Sequence, residues 1–210
     1  MSLKNINSDP RLTKYLINSK IFNDDKLIVA DVGARGGFEK HWSLYNDQIK
    51  LIGFEPDKKE CQYLNENEKS SNRIYYPYAL HKDIDNKTFY STAWPASSGF
   101  YKPDSNQLNR FPDKVNLEVV DSFKISTVSF DRFIMENEIN NVDFIKLDTE
   151  GCELDILKGA LKALNKCVLG LSIEVWFQPW HEKQPLFCDL VSYLRPLGFK
   201  LYDLETYRMR

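Results

Sequence analysis

Apolar residues in this chain gather into short unbroken runs, and the segments between them carry apolar positions at helical spacing. Leu27-Ile28-Val29-Ala30 is the first run and Leu51-Ile52-Gly53-Phe54 the second. Runs without alternation suit strands buried on both faces, as in a parallel sheet covered by helices. The same reading predicts strands over residues 73–80, 87–93, 123–129, 143–148, 168–177 and 199–204. Helices are predicted over 38–45, over 58–69 with Pro56 near the start, over 130–137, and over 186–197 with Gly198 as the stop. Leu154, Leu157, Leu161 and Leu164 predict one more.

Strands alternate with helices almost throughout, without an internal repeat. That pattern predicts a doubly wound, Rossmann-like α/β fold with a mostly parallel sheet and helices on both faces. Residues 1–26 form a polar helical segment, with Leu12, Tyr15, Leu16 and Phe22 as its apolar positions, ahead of one domain over 27–210. Residues 94–114 break the alternation. Pro95, Ser97, Ser98, Gly99, Pro103 and Pro112 stand there among aromatics, the composition of a long ordered loop or lid rather than a regular element.

Hydrophobic residues make up 42% of the 210 positions, enough for a packed core. The formal net charge is −2 without long runs of one sign, so a broad nucleic-acid surface is not expected. No apolar run reaches membrane-span length, and no signal-peptide core is present. Cys61, Cys152, Cys167 and Cys188 form no CxxC and no Cys/His cluster, which fits reduced thiols in a cytoplasmic protein. Met1-Ser2-Leu3 reads as an expression scar.

In sheets of this kind ligands sit at the carboxyl ends of the strands. The acids expected there are Asp31, Glu55, Asp148 and Glu174. After Asp31 the chain turns through Gly33, Gly36 and Gly37, where absent Cβ atoms permit a sharp turn and a close ligand. A helix beginning near Phe38 would aim its free N–H groups at that turn. Glu55 stands 24 residues after Asp31, where an acid can accept hydrogen bonds from both ribose hydroxyls of an adenosine cofactor. The turn departs from Gly-x-Gly-x-x-Gly, and Asp31 would set a negative charge beside a diphosphate. It suits a ligand with a cationic amino-acid end, which argues against an NAD-dependent oxidoreductase.

Asp31-Val32-Gly33-Ala34 with Gly36, Phe54-Glu55-Pro56, Lys146-Leu147-Asp148-Thr149-Glu150-Gly151 with Glu153, Leu157-Lys158-Gly159-Ala160 and Ile173-Glu174-Val175 follow in order. Ser97-Ser98 and Val128-Ser129-Phe130-Asp131 add to them. Together these motifs resemble the FkbM family of S-adenosylmethionine-dependent methyltransferases over residues 27–204. The resemblance implies a class I methyltransferase fold, S-adenosyl-L-methionine as cofactor, and O-methylation of a hydroxyl on a sugar, glycan or other small-molecule natural product. It implies cofactor contacts from Asp31, Gly33, Ala34, Arg35 and Gly36 at the methionine end. Glu55 and Pro56 would serve the ribose, Ala79 and Leu80 the adenine, with Ser98 and Asp148 beside them. Arg35 and Gly37 depart from many relatives, and the closing antiparallel strand of such sheets is left to residues 206–210 at most. A non-catalytic S-adenosylmethionine-binding module remains the rival of another class. Nothing in the sequence fixes the oligomeric state.

An alcohol must lose its proton or be held by a cation before it attacks. Asp148 is the first choice as base or orienting acid. His181 is a second candidate base, and Glu174, costly if buried unpaired, must have a partner. Asp148 and Glu174 sharing a magnesium-like ion is the other route, although two carboxylates are few and no metal ligand set is assigned. Glu150 and Glu153 read equally as acids of a helix first turn, and Glu153 is assigned there. Trp176, Phe177 and Trp180 read as core or rim, and His41 and His81 as surface residues.

Overall fold

The computed structural model describes residues 10–68 and 70–206. Met1-Ser2-Leu3, the first nine residues of the N-terminal segment, and residues 207–210 lie outside that range. In chain order the elements are α1 (Arg11–Asn18), β1 (Leu27–Val32), β2 (Ile49–Phe54), α2 (Lys58–Asn67), β3 (Arg73–Tyr76), β4 (Ala79–Leu80), β5 (Asn86–Thr92) and α3 (Ser105–Leu108). There follow β6 (Val119–Val128), α4 (Phe130–Glu136), β7 (Phe144–Leu147), α5 (Glu153–Gly159), α6 (Leu161–Lys166), β8 (Gly170–Ile173) and α7 (Phe187–Leu194).

The main sheet has the order β3-β2-β1-β7-β8 and is parallel throughout. The chain winds outward from β1 through β2 to β3, then resumes on the other side at β7. The switch point therefore lies between β1 and β7, where this architecture places ligands. Both faces are covered. Ala30, Val32, Ile52, Phe54, Ile145 and Leu147 point into a core shared with Phe130, Phe133, Leu157 and Leu164. Val29, Ile49, Leu51 and Tyr75 point the other way, against Phe38, Cys61 and Leu64. The alternation is the two-residue period of a strand buried on both sides. No helix of the described residues is long and apolar enough to cross a membrane.

A second sheet, β4-β6-β5, sits apart. The single strand expected over 73–80 is thus two strands in two sheets. Pro77 lies between them and has no N–H to continue a ladder. The residues after Ser91 form an insertion in the β5–β6 hairpin. Thr92 pairs with Val119, and the Ala93 and Trp94 amides donate to the Glu118 and Asn116 carbonyls, 2.9 Å each. The insertion is not structureless: it holds 3-10 turns at Pro95–Ser97 and Pro112–Leu117 and α3, capped by Asp104. Leu108 and Leu117 pack with Trp180 from the loop after β8, which ties the insertion to the strand ends.

Four further expectations change. Residues 38–45 are no α-helix. Gly36 and Gly37 hold φ of +80° and +89°, and only a kinked 3-10 run, Lys40–Gln48, follows. The expected helix N-terminus facing the glycine turn is therefore absent. The helix over 154–164 breaks at Ala160 into α5 and α6. Residues 199–204 form no strand: Leu201, Tyr202 and Leu204 are exposed and only Phe199 packs on the core. β8 is accordingly an edge among the described residues. His81 is buried, not at the surface, with Nε2 3.5 Å from Asp155 Oδ2.

Candidate functional site

The strand ends build the site from β1 outward. Gly33 at φ +82° folds the chain across the end of β7, where a Cβ would lie 1.9 Å from the Asp148 carbonyl oxygen. The Gly33 and Ala34 amides both donate to the Phe54 carbonyl at 3.1 Å, so the turn is seated on β2. A Cβ on Gly36 would meet nothing within 4 Å, which leaves open space in front of the turn.

Asp31 and Lys146 are register partners on β1 and β7. Lys146 Nζ stands 3.0 Å from Asp31 Oδ1, 3.5 Å from Asp148 Oδ2 and 3.3 Å from the Gly33 carbonyl. Asp31 is 2% exposed, and its Oδ1 receives no hydrogen bond of good angle besides this ion pair. Burial pushes its pKa up to about 6, with Lys146 opposing. Burial works against the lysine charge as well, but Asp31 and Asp148 outweigh it and hold its pKa above the usual value.

At the end of β2, Glu55 is buried. Its Oε1 accepts from the Asp57 amide at 2.8 Å, and Arg35 Nε lies 3.8 Å from Oε2. Burial raises its pKa, against the Asp57 amide and Arg35. Arg35 spans the turn, also meeting Asp57 Oδ2 at 2.8 Å and Glu60 Oε2 at 3.9 Å. Asp57 caps α2 through the Lys59 and Glu60 amides, so Pro56 and this cap fix where Glu55 points.

At the other side, the Glu174 amide donates to the Leu147 carbonyl at 2.8 Å, which carries the β7–β8 register on to set Glu174 opposite Asp148. Carboxylate oxygens of Asp148, Glu150 and Glu174 all lie within 4.8 Å of one another. Burial and mutual repulsion drive the Glu150 and Glu174 pKa values strongly upward. Glu153, in the first turn of α5, is satisfied: its Oε1 accepts from the Thr149 amide, the Thr149 hydroxyl and the Gly151 amide.

His181 is 1% exposed, its Nδ1 is 3.2 Å from Gln184 Oε1, and burial lowers its pKa. It backs the wall formed by Gln184, whose amide packs on Gly151, and is closed off from solvent. Ser98 accepts from the Thr92 amide at 3.1 Å inside the hairpin insertion, and neighbouring Gly99 packs against Thr149 and Glu150. Ala79 and Leu80 are buried, Leu80 within the main core beside Phe54 and Phe130. The structure thus gathers Asp31, Gly33 and Asp148 in one group, Arg35, Glu55 and Pro56 in a second beside it, and Glu174 with Asp148. Lys146 joins them without an assigned role, and Glu150, read above as a possible first-turn acid, lies ahead of α5 and joins Glu174 and Asp148. The cue for Lys146 was a cation between Ile145 and Leu147 in an otherwise apolar buried strand, which demands a carboxylate partner.

A parallel sheet with a β1/β7 switch point, a glycine turn and acids at successive strand ends defines a Rossmann-like α/β protein of the methyltransferase type. Residues 31–201 match the methyltransferase FkbM domain, and the chain belongs to that family. The crystal structure of methyltransferase FkbM from Methylobacillus flagellatus KT is similar in fold, with a TM-score of 0.50 at 17% identity. The alignment covers 82% of this chain and 38% of that one, so this chain spans well under half that protein's length. No curated protein matches the chain.

Proposed function

We propose that the chain is an S-adenosylmethionine-dependent methyltransferase acting on a hydroxyl of a sugar or natural-product acceptor. What carries the reading is a set of buried polar atoms without hydrogen bonds. Glu174 Oε2, Trp176 Nε1 and Gln184 Nε2 stand at the end of β8 or in the loop after it, while Asp31 Oδ1 meets only the Lys146 ammonium and His81 Nδ1 lies away from the strand ends. Buried polar groups are normally satisfied, and unsatisfied ones gathered at one edge of a sheet await a ligand. The fit to the cofactor is good: an acid for an ammonium at Asp31, open space before Gly36, and an acid for the ribose at Glu55. S-adenosylmethionine supplies an electrophilic methyl group when bound.

The chain's own residues then bind, orient and deprotonate. Asp31 holds the amino-acid end, with Lys146 keeping its carboxylate ionised. Glu55 takes the ribose hydroxyls, for which Arg35 must yield. Asp148 accepts or orients the acceptor's proton. The insertion over 94–114 covers Thr149 and Glu150 through Gly99 and keeps water out. The four free cysteines accord with a cytoplasmic setting. Calorimetry tests the reading: S-adenosylhomocysteine should bind and NAD should not. Mass spectrometry with labelled cofactor and a hydroxyl-bearing pool should reveal a methylated product. Binding without turnover on a broad panel would favour a binding module instead.

A further inference from the structure

We infer that Asp148, Glu150 and Glu174 form a binding site for one divalent, oxygen-preferring cation. Three carboxylates with oxygens within 4.8 Å of one another match the span of ligands around such an ion, since two oxygens on one calcium-sized ion stand at most about 5 Å apart. Two further observations separate this cluster from a solvated acidic patch. Glu174 Oε2 is out of contact with water and receives no hydrogen bond, the carboxyl group's contact being with Asp148 inside the cluster. The Glu150 carboxylate is partly buried, and among the described residues no hydrogen-bond donor or cation is paired with it. Lys146, 3.5 Å from one oxygen of Asp148, is shared with Asp31 at 3.0 Å.

The backbone shapes the cluster. Glu150 sits at φ +56°, which turns the chain back so that its carboxylate meets the other two. Glu153 holds that turn by accepting from Thr149 and Gly151, and Gly99 closes over Glu150. No His or Cys belongs to the cluster, so a soft metal is disfavoured and a magnesium-, manganese- or calcium-like ion favoured. Such an ion has coordination positions left for acceptor oxygens, a role that rests on the methyl-transfer reading although the site itself does not.

The test is a titration of chelator-treated full-length protein with Mn2+, followed by electron paramagnetic resonance, with Mg2+ and Ca2+ as competitors. One Mn2+ per chain is expected, at least tenfold weaker in Glu150→Gln and in Glu174→Gln and unchanged in Glu182→Gln, an exposed partner of Lys102. Mn2+ should raise the melting temperature of the parent and leave that of Glu174→Gln unchanged. Should it fail to fold, Glu150→Gln carries the comparison. Absence of saturable Mn2+ binding, or binding that both variants retain, overturns the site. So does binding of ethylammonium in place of divalent ions. S-adenosylhomocysteine calorimetry on the same sample separates the two proposals, because cofactor binding without Mn2+ binding removes only this one.

Discussion

Asp31 and Lys146 face each other across the switch point of the sheet, a buried carboxylate and a largely buried ammonium 3.0 Å apart. Neither charge would persist there alone, since an unpaired buried ion reverts to its neutral form. With Asp31 at about 6, its charge is present at neutral pH and lost as pH falls through 6. If it holds the ammonium of the cofactor, S-adenosylhomocysteine affinity should fall about tenfold from pH 7 to pH 5. Lys146→Met should raise the pH at which that loss begins. Calorimetry across pH 5–8.5 reads both.

Glu55 should contribute charge-assisted hydrogen bonds to the ribose. Glu55→Ala should weaken S-adenosylhomocysteine binding by about 1.5–3 kcal/mol. Unchanged affinity would place the ribose elsewhere.

Asp148 and His181 make opposite expectations. Asp148→Asn keeps the shape and removes the charge, so turnover on an identified acceptor should drop about a hundredfold or more with cofactor affinity little changed. His181 is enclosed and fastened to Gln184. His181→Gln should therefore lower the melting temperature more than it lowers kcat. Full turnover in Asp148→Asn would remove Asp148 as base.

Ionisation of Glu150 and Glu174 should weaken the cation-free fold. Their folded-state pKa values are raised, so the folded state holds more protons than the unfolded state above the ordinary glutamate range. Stability is full below that range and lost as pH rises through the raised values. Melting temperature followed from pH 5 to pH 9 should fall, and Glu174→Gln should flatten the slope.

Gly33 tests the scaffold itself. A Cβ there would strike the Asp148 carbonyl at a positive φ, so Gly33→Ala should cost about 3 kcal/mol in denaturant unfolding.

The central strands were legible because a parallel strand buried on both faces must be written in continuous apolar residues, as Leu27–Val32 and Ile49–Phe54 are. The strand-end acids followed from that register. What escaped depends on backbone turns or distant partners. Glu150 joins Glu174 only because its φ is positive. His81 looks like a surface residue until Asp155, from a helix far along the chain, packs against it. Leu201, Tyr202 and Leu204 have strand composition, but a strand also needs a neighbour with free backbone groups in register.

The pairing of Thr92 with Val119 has an evolutionary consequence. The two roots of the hairpin insertion are fastened side by side whatever lies between them. Added length then costs little, because closure entropy grows only as the logarithm of loop size. The cofactor end, built on β1 and β2, shares no strand with those roots. Under the methyl-transfer reading, this insertion can be rewritten residue by residue for a new acceptor while the chemistry beneath it is inherited intact.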